Sequence, residues 1–485
     1  MAAGLVVFAF LSAYFFDRAF TPNPTSRLLP VITLVEDHTF QIDRWKHWTQ
    51  DKAFVNGHYY SDKAPLSTLV VVPFYAMYYA AFGSTDARRP SHVPYALGNL
   101  LCGVLPFLFL IGALFHTLSA KVKSRDAVVL ATLPIFGSFL FAFSGTYFGH
   151  LLAGALLLGA WLCVRSAASL RPALAGGLSS LAFLAEFPTA LIGLTFGVSL
   201  FAKTRSLWSC FRFALAGLPA LLLLLYYNYS ITGHPLVSLY GFQADPQFQA
   251  MRTAYGFTGP QVEAIWGMAF GLSRGAFVYA PILFYLAYAA TRTMWSRGPR
   301  LDPWITSGFG LFYLVISSYY MWRGGWSYGP RHLISPAFIV LFEGILLIAG
   351  SGFSRTAVFS LSAVGILFVW VAKATTVYVI PETIANPVFE FLLPVLLEGR
   401  ANRNTLPTLW FGLSPVAACL AWIPLFAASV AGFHSWYRRM TPERESKRGT
   451  QRTKTRAPSR HAPGAGGGHP RSTGYSRGLF RCKGD

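Results

Sequence analysis

Residues 127–164 read AVVLATLPIFGSFLFAFSGTYFGHLLAGALLLGAWLCV and contain no Asp, Glu, Lys or Arg. A bilayer's hydrocarbon core, ~30 Å thick, takes roughly 20 apolar residues to cross as a helix. The run is therefore long enough for two crossings, with Gly145-Thr146-Tyr147-Phe148-Gly149 as the turn between them. Similar apolar runs fall at 2–16, 93–117, 174–202, 208–228, 275–293, 303–321, 333–350, 356–377 and 408–434. Over all 485 residues, 54% are hydrophobic and 12% charged. A soluble domain carries about 25% charged residues, so this chain cannot cover a water-facing surface. The fold class expected is an all-α polytopic membrane protein.

Charge sets the topology. Two runs are ambiguous: 66–83 either crosses or lies in the interface, and 174–202 is either one span or two short ones broken at Glu186-Phe187-Pro188. If 66–83 is interfacial and 174–202 is a hairpin, Lys121, Lys123, Arg125, Arg165 and Arg171 fall inside, and only Arg88 and Arg89 stay outside. The positive-inside rule favours that arrangement. Lys203, Arg205, Arg292, Arg297, Arg300 and Arg355 are inside as well. About twelve crossings result, with both termini cytoplasmic.

Residues 1–435 then form the membrane domain, and 436–485 a basic tail. From Arg438 to Asp485 there are 13 Lys or Arg and 3 Asp or Glu, a net +10 of the chain's +21. Rich in Gly, Pro and Arg, without apolar periodicity, the tail reads as a disordered cytoplasmic segment near lipid headgroups rather than a nucleic-acid binder. The five cysteines are scattered, and small packing residues are the simplest reading. No phosphate-binding Gly loop, His-Glu-x-x-His or Gly-x-Ser-x-Gly is present.

The non-cytoplasmic segments are 17–92, 229–274, 322–332 and 378–407. The first is far longer than a helix connection needs and holds 7 of the 19 acidic residues. It contains Asn56-Gly57, a turn signal, and then Tyr60-Ser61-Asp62-Lys63-Ala64-Pro65. Lys63 can be a point-charge ligand for phosphate with Asp62 holding it, or an interfacial anchor. A second stretch reads Trp322-Arg323-Gly324-Gly325-Trp326-Ser327-Tyr328-Gly329-Pro330-Arg331-His332. Arg331 and His332 open a helix, where backbone N–H groups and a guanidinium can meet an anion. Trp322, Trp326 and Tyr328 can face a sugar, or form an aromatic belt. Glu186 at the break of 174–202 suits a capping role, and His150, opening a helix on the outer face, suits a ligand site.

In this order the motifs resemble the GT-C membrane glycosyltransferases, in the bacterial branch related to protein mannosyltransferases and the lipid A aminoarabinose transferase. That resemblance covers residues 1–435. It implies sugar transfer from a polyprenyl-phosphate-linked monosaccharide to a glycan, lipid or protein acceptor, in a bacterial inner membrane. Lys63 matches the family's box lysine, Asp62 its acidic neighbour, and Arg27 the arginine of an acidic-x-x-Arg start. Arg27 and Lys63, with Arg331 and His332, are the expected phosphate ligands; Trp322, Trp326, Tyr328 and His150 are the expected sugar contacts. The acidic residue before the arginine is replaced by Asn23-Pro24-Thr25-Ser26, so Glu36, Asp37 or Asp43 is expected as the base, with Asp62 next. No cofactor is expected, no metal-spaced cluster calls for a divalent cation, and the partners are lipids and glycans, not nucleic acid. A lipid transporter or a non-catalytic lipid-binding scaffold remains the alternative class.

Overall fold

The computed structural model describes residues 2–83, 89–165, 171–294 and 300–440. Arg88, Arg297 and the tail beyond Met440 lie outside the described residues. Helix α1 (Ala2–Ala13) is followed by α2 (Pro22–Glu36). The latter starts with Pro22 at its first position, where the missing N–H costs no hydrogen bond. Every residue of α2 from Pro24 to Thr33 is buried. A helix buried on all sides runs through an interior rather than over a surface. The start of segment 17–92 therefore lies inside the protein.

Next comes a hairpin of β1 (Ala53–Val55) and β2 (His58–Tyr60), with register Ala53↔Tyr60 and Val55↔His58. Asn56 and Gly57 both have positive φ, 51° and 88°, as the favoured two-residue hairpin turn requires. Helices α3 (Leu66–Leu69) and α4 (Val72–Phe82) follow. Together α3 and α4 make one apolar helical stretch, Leu66–Phe82. They run beside α2: Thr68 Oγ1 donates to Arg27 O at 2.8 Å near one end, and Tyr75 OH to Glu36 Oε1 at 2.7 Å near the other.

This is an integral membrane protein. Six described helices are long and apolar enough to cross: His92–Ser119, Phe187–Thr204, Leu207–Thr232, Arg331–Ser351, Arg355–Ala374 and Pro415–Arg439. The other apolar runs form shorter helices, such as Gly149–Val164 and Pro303–Ser317, or break near a proline, as Ala276–Tyr279 and Ile282–Met294 do around Pro281. The 174–202 run is two helices, Arg171–Ala185 and Ala190–Thr204, separated by a 3₁₀ turn over Phe187–Thr189. Pro188 explains the break, because in a continuous helix it would lack the N–H for the carbonyl four residues back and its ring would clash there; Glu186 is the extended residue, at φ −151° and ψ 111°.

Ion pairs mark one end of the bundle. Arg165 meets Glu343 at 2.5 Å, Lys203 meets Asp302 at 2.9 Å, and Arg355 meets Asp126 at 2.8 Å. The turn at Glu186 is at the opposite end of its two helices from Lys203. Between the ends the core is aromatic, with Trp422 stacked on Phe141 and Phe426 at 5.1 and 5.0 Å between centroids. Gly365 lets its helix rest on the backbone of Gly137, since a Cβ there would sit 1.9 Å from Gly137 O. Small residues at such crossings are how membrane helices approach closely.

Candidate functional site

The hairpin register carries the first part of the site. Continuing Ala53↔Tyr60 outward by two residues sets Asp51 opposite Asp62. Both carboxylates reach the Lys63 ammonium, at 2.8 Å from Asp51 and 3.0 Å from Asp62. All three side chains are buried. Asp62 also accepts from Gln243 Nε2 at 2.7 Å and Ser26 Oγ at 3.3 Å. Burial pushes the Asp51 carboxyl above its usual range, against the pull of Lys63. Burial also works against the Lys63 ammonium, but Asp51 and Asp62 outweigh it and hold its pKa above the ordinary value. Two acids share one cation, so one acid is under-compensated.

Arg27 forms the second part. It is 2% exposed, and every guanidinium nitrogen has a partner: Nη2 donates to Glu186 Oε1 at 2.8 Å, Nη1 to Ser67 Oγ at 2.7 Å, and Nε to Asn23 Oδ1 at 3.2 Å. Glu186 comes from the broken helix pair, and its Oε1 also lies 3.3 Å from His150 Nδ1. Gly149 makes room for this arrangement. A Cβ there would meet Glu186 Oε1 at 2.6 Å, Ala185 O at 2.7 Å and Arg27 Nη1 at 3.0 Å.

Arg331 forms the third part, in the 3₁₀ turn Arg331–Leu333 that opens the helix Ile334–Ser351. Its guanidinium lies 5.3 Å over the Phe148 ring, and it acts electrostatically on both Asp51 and Glu186. Three cations far apart in sequence thus gather with three carboxylates. Several buried atoms here lack a protein partner: Arg331 Nε, His150 Nε2, Gln243 Oε1 and Tyr320 OH. Buried polar groups are normally paired, so these atoms are the ones here left to be satisfied by a bound polar group or water.

The remaining expected residues are placed differently. Trp322 is 5% exposed and packs on Gly267. Tyr328 is fully buried, edge-on to Tyr279 at 4.8 Å. Of the three aromatic side chains only Trp326, 59% exposed, presents a free ring. His332 points Nε2 at Met321 O, 3.1 Å away. Glu36 and Asp37 both face Arg44, at 3.3 and 3.7 Å. Asp43 clasps the hairpin through His58 Nδ1 at 2.6 Å and Tyr59 N at 2.7 Å. Nine residues of helical rise, about 14 Å, separate Glu36 from Arg27, so these three acids are not gathered with Lys63.

Asp51, Gln243 and Arg274 are additions that sequence reasoning missed. The Asn56-Gly57 turn was the available signal for Asp51, because it fixes a register. Arg274, fully buried, donates to Arg323 O at 2.9 Å and Gly325 O at 3.2 Å, fixing the 322–329 loop from behind. Among the described residues no group of three or more His, Cys, Asp or Glu can hold a metal ion. The space between Asp51 and Asp62 is taken by the Lys63 ammonium.

Two solved structures are similar to the chain. One is a crystal structure of ArnT from Cupriavidus metallidurans bound to undecaprenyl phosphate, at 15% identity and a TM-score of 0.47, covering 94% of this chain and 80% of that one. The other is ArnT from the same organism in the apo state, at 14% identity and a TM-score of 0.46, covering 90% and 76%. No protein-family model matches the chain, and no curated protein matches it.

Proposed function

We propose that the protein is a membrane glycosyltransferase of the GT-C type. It would move a monosaccharide from a polyprenyl-phosphate donor to a hydroxyl acceptor on the non-cytoplasmic face of a bacterial inner membrane. The observation that carries this reading is the gathering of Lys63, Arg27 and Arg331 at one end of a membrane bundle, with Arg331 Nε left unpartnered. Arg165, Lys203 and Arg355 lie toward the other end, which the positive-inside rule assigns to the cytoplasm. Both termini are then cytoplasmic.

A phosphodiester donor carries one negative charge, and the polyprenyl phosphate that departs carries nearly two. Cations fixed at the leaving oxygen therefore stabilise the transition state more than the ground state. Arg331 meets the phosphate directly through its free Nε. Lys63 adds charge from the side of the hairpin, its ammonium already held by two carboxylates. Arg27, satisfied by its own partners, positions Glu186 and supplies charge at longer range. Trp326 is the ring left to face sugar or acceptor.

The test uses the full chain in nanodiscs with undecaprenyl phosphate and a panel of polyprenyl-phosphate hexoses and pentoses. Saturable binding of undecaprenyl phosphate, together with its release from at least one sugar-linked donor, is the expected result. Binding without any release would favour a transporter or scaffold. No binding at all would remove the phosphate clamp.

A further inference from the structure

We infer that His150, beside Glu186, is the base that takes the proton from the acceptor hydroxyl. This rests on the glycosyltransferase reading and names the proton acceptor which that reading leaves open.

The carboxylates of the site each commit at least one oxygen to a cation. Asp51 and Asp62 share the Lys63 ammonium, and Asp62 accepts two further hydrogen bonds. Glu186 Oε1 is occupied by Arg27. A lone pair committed to a cation is a poor destination for a proton. Glu36, Asp37 and Asp43 are held elsewhere by Arg44 and His58.

His150 is different. It is 6% exposed and opens the helix Gly149–Val164. Its Nδ1 lies 3.3 Å from the Glu186 carboxylate, while its Nε2 is buried with no partner. A carboxylate beside Nδ1 favours the proton on that nitrogen, which leaves the Nε2 lone pair free. The same division of labour, a carboxylate fixing the tautomer and Nε2 taking the proton, operates in Ser-His-Asp triads. The backbone is fixed too, since Ser335 Oγ donates to His150 O at 2.9 Å. Phe148 stacks on one side of the imidazole at 5.9 Å, and the His332 ring stands edge-on at 6.2 Å. Arg331, Arg27 and Lys63 are near enough to repel an imidazolium at His150, so the base and the phosphate clamp share one end of the bundle and a proton taken there is not kept.

The step balances. Nε2 takes the proton of the acceptor hydroxyl as its oxygen bonds to the anomeric carbon. The bond from that carbon to the phosphate oxygen breaks with its electron pair, and polyprenyl phosphate leaves as the dianion. The imidazolium, repelled by the cations around it, then gives the proton up to the departing phosphate or to water.

The test compares the native protein with His150→Ala in nanodiscs, reading undecaprenyl phosphate binding and donor turnover separately. His150→Ala should bind undecaprenyl phosphate as the native protein does and lose about 10²–10⁴-fold in turnover. Added imidazole should restore part of that rate by filling the space the side chain left. A variant that binds but is not rescued, while His150→Gln remains active, would show a hydrogen-bonding role and overturn the inference. Native turnover by His150→Ala would overturn it as well. If His150→Ala does not fold, His150→Gln alone decides: near-native turnover sinks the inference, and a loss of 10²-fold or more with binding intact supports it. Glu186 acts through His150 and is a positioning residue. Glu186→Gln keeps an oxygen for Arg27, so its turnover loss should vanish on the His150→Ala background, which a purely structural role would not do. Failure of the native protein to turn over any donor would instead remove the glycosyltransferase reading, and this inference with it.

Discussion

Asp51 faces Asp62 across the continuation of a two-stranded hairpin, and both carboxylates close on the Lys63 ammonium, at 2.8 and 3.0 Å. The relationship joins a turn signal at Asn56-Gly57 to a phosphate-binding candidate six residues further on. On the proposed function it gives Lys63 two jobs, one structural and one in phosphate binding.

Lys63→Ala should therefore show two separable losses. Removing one hydrogen-bonding charge from a phosphate site weakens undecaprenyl phosphate binding by about 10- to 100-fold. Leaving two buried carboxylates without their cation costs roughly 3–5 kcal/mol of stability, visible as a lower unfolding temperature in detergent. Lys63→Arg keeps the charge and should fall between the two. Native binding by Lys63→Ala would leave Lys63 only its structural job.

Asp51→Asn probes the surplus acid. Burial raises the Asp51 carboxyl above 3.8, its value in the unfolded chain. The native state then holds that proton more tightly. The resulting stability is fully present below pH 3.8 and is lost as pH rises through the raised value. Asparagine mimics the protonated form at every pH. The variant should match the native protein near about pH 4 and unfold at a higher temperature near about pH 7. A constant difference across that range would contradict the assignment.

Gly149→Ala should disconnect Arg27 from Glu186. The added Cβ would sit 2.7 Å from the Ala185 carbonyl oxygen and 2.6 Å from Glu186 Oε1, and the backbone atom cannot swing away. Overpacking of this kind costs about 1–3 kcal/mol. Turnover should fall with it, because the carboxylate beside His150 is the group displaced. An unchanged unfolding temperature and rate would show that the helices separate without consequence.

How far the site could be read in advance depends on what each residue's position requires. Lys63 and Arg331 were legible because each sits in a local motif. The membrane class followed from apolar runs, and the break at Glu186 from Pro188. Asp51 and Gln243 were not, since both depend on pairing between segments distant in the chain, and a single sequence carries little trace of that. Trp322 and Tyr328 read as sugar contacts because loops usually expose their rings. Arg274, some fifty residues away, draws the loop's carbonyls inward and turns those two rings into the core. The candidate base moved for a similar reason, as Arg44 and His58 engage the acids of the first outer segment.

Glu36→Gln and Asp37→Asn should accordingly leave turnover within a few-fold of native. Asp43→Asn should cost about 1 kcal/mol by loosening the hairpin, because its partners are partly exposed. A loss of 10²-fold or more in either of the first two, with folding intact, would return the base to that segment.

Ser119→Cys, in a cysteine-free background, addresses orientation. The residue ends the helix His92–Ser119, next to Lys121 and Lys123. It should resist an impermeant thiol reagent applied to intact cells and react once the membrane is opened. Labelling from outside would invert the bundle.

Gln243 fastens one outer segment to another. It bridges to Ala53, donates to Asp62, and is followed by Ala244, whose N–H donates to Lys52 O at 2.9 Å. Whatever shifts residues 239–252 therefore shifts a carboxylate that holds Lys63. If an acceptor docks on that segment, its arrival and the donor's are energetically linked, and each changes the other's affinity by the same factor. Order of loading then hangs in part on one side-chain amide: Gln243→Ala removes the link to Asp62 while the backbone links stay, and should bring that shared factor closer to one.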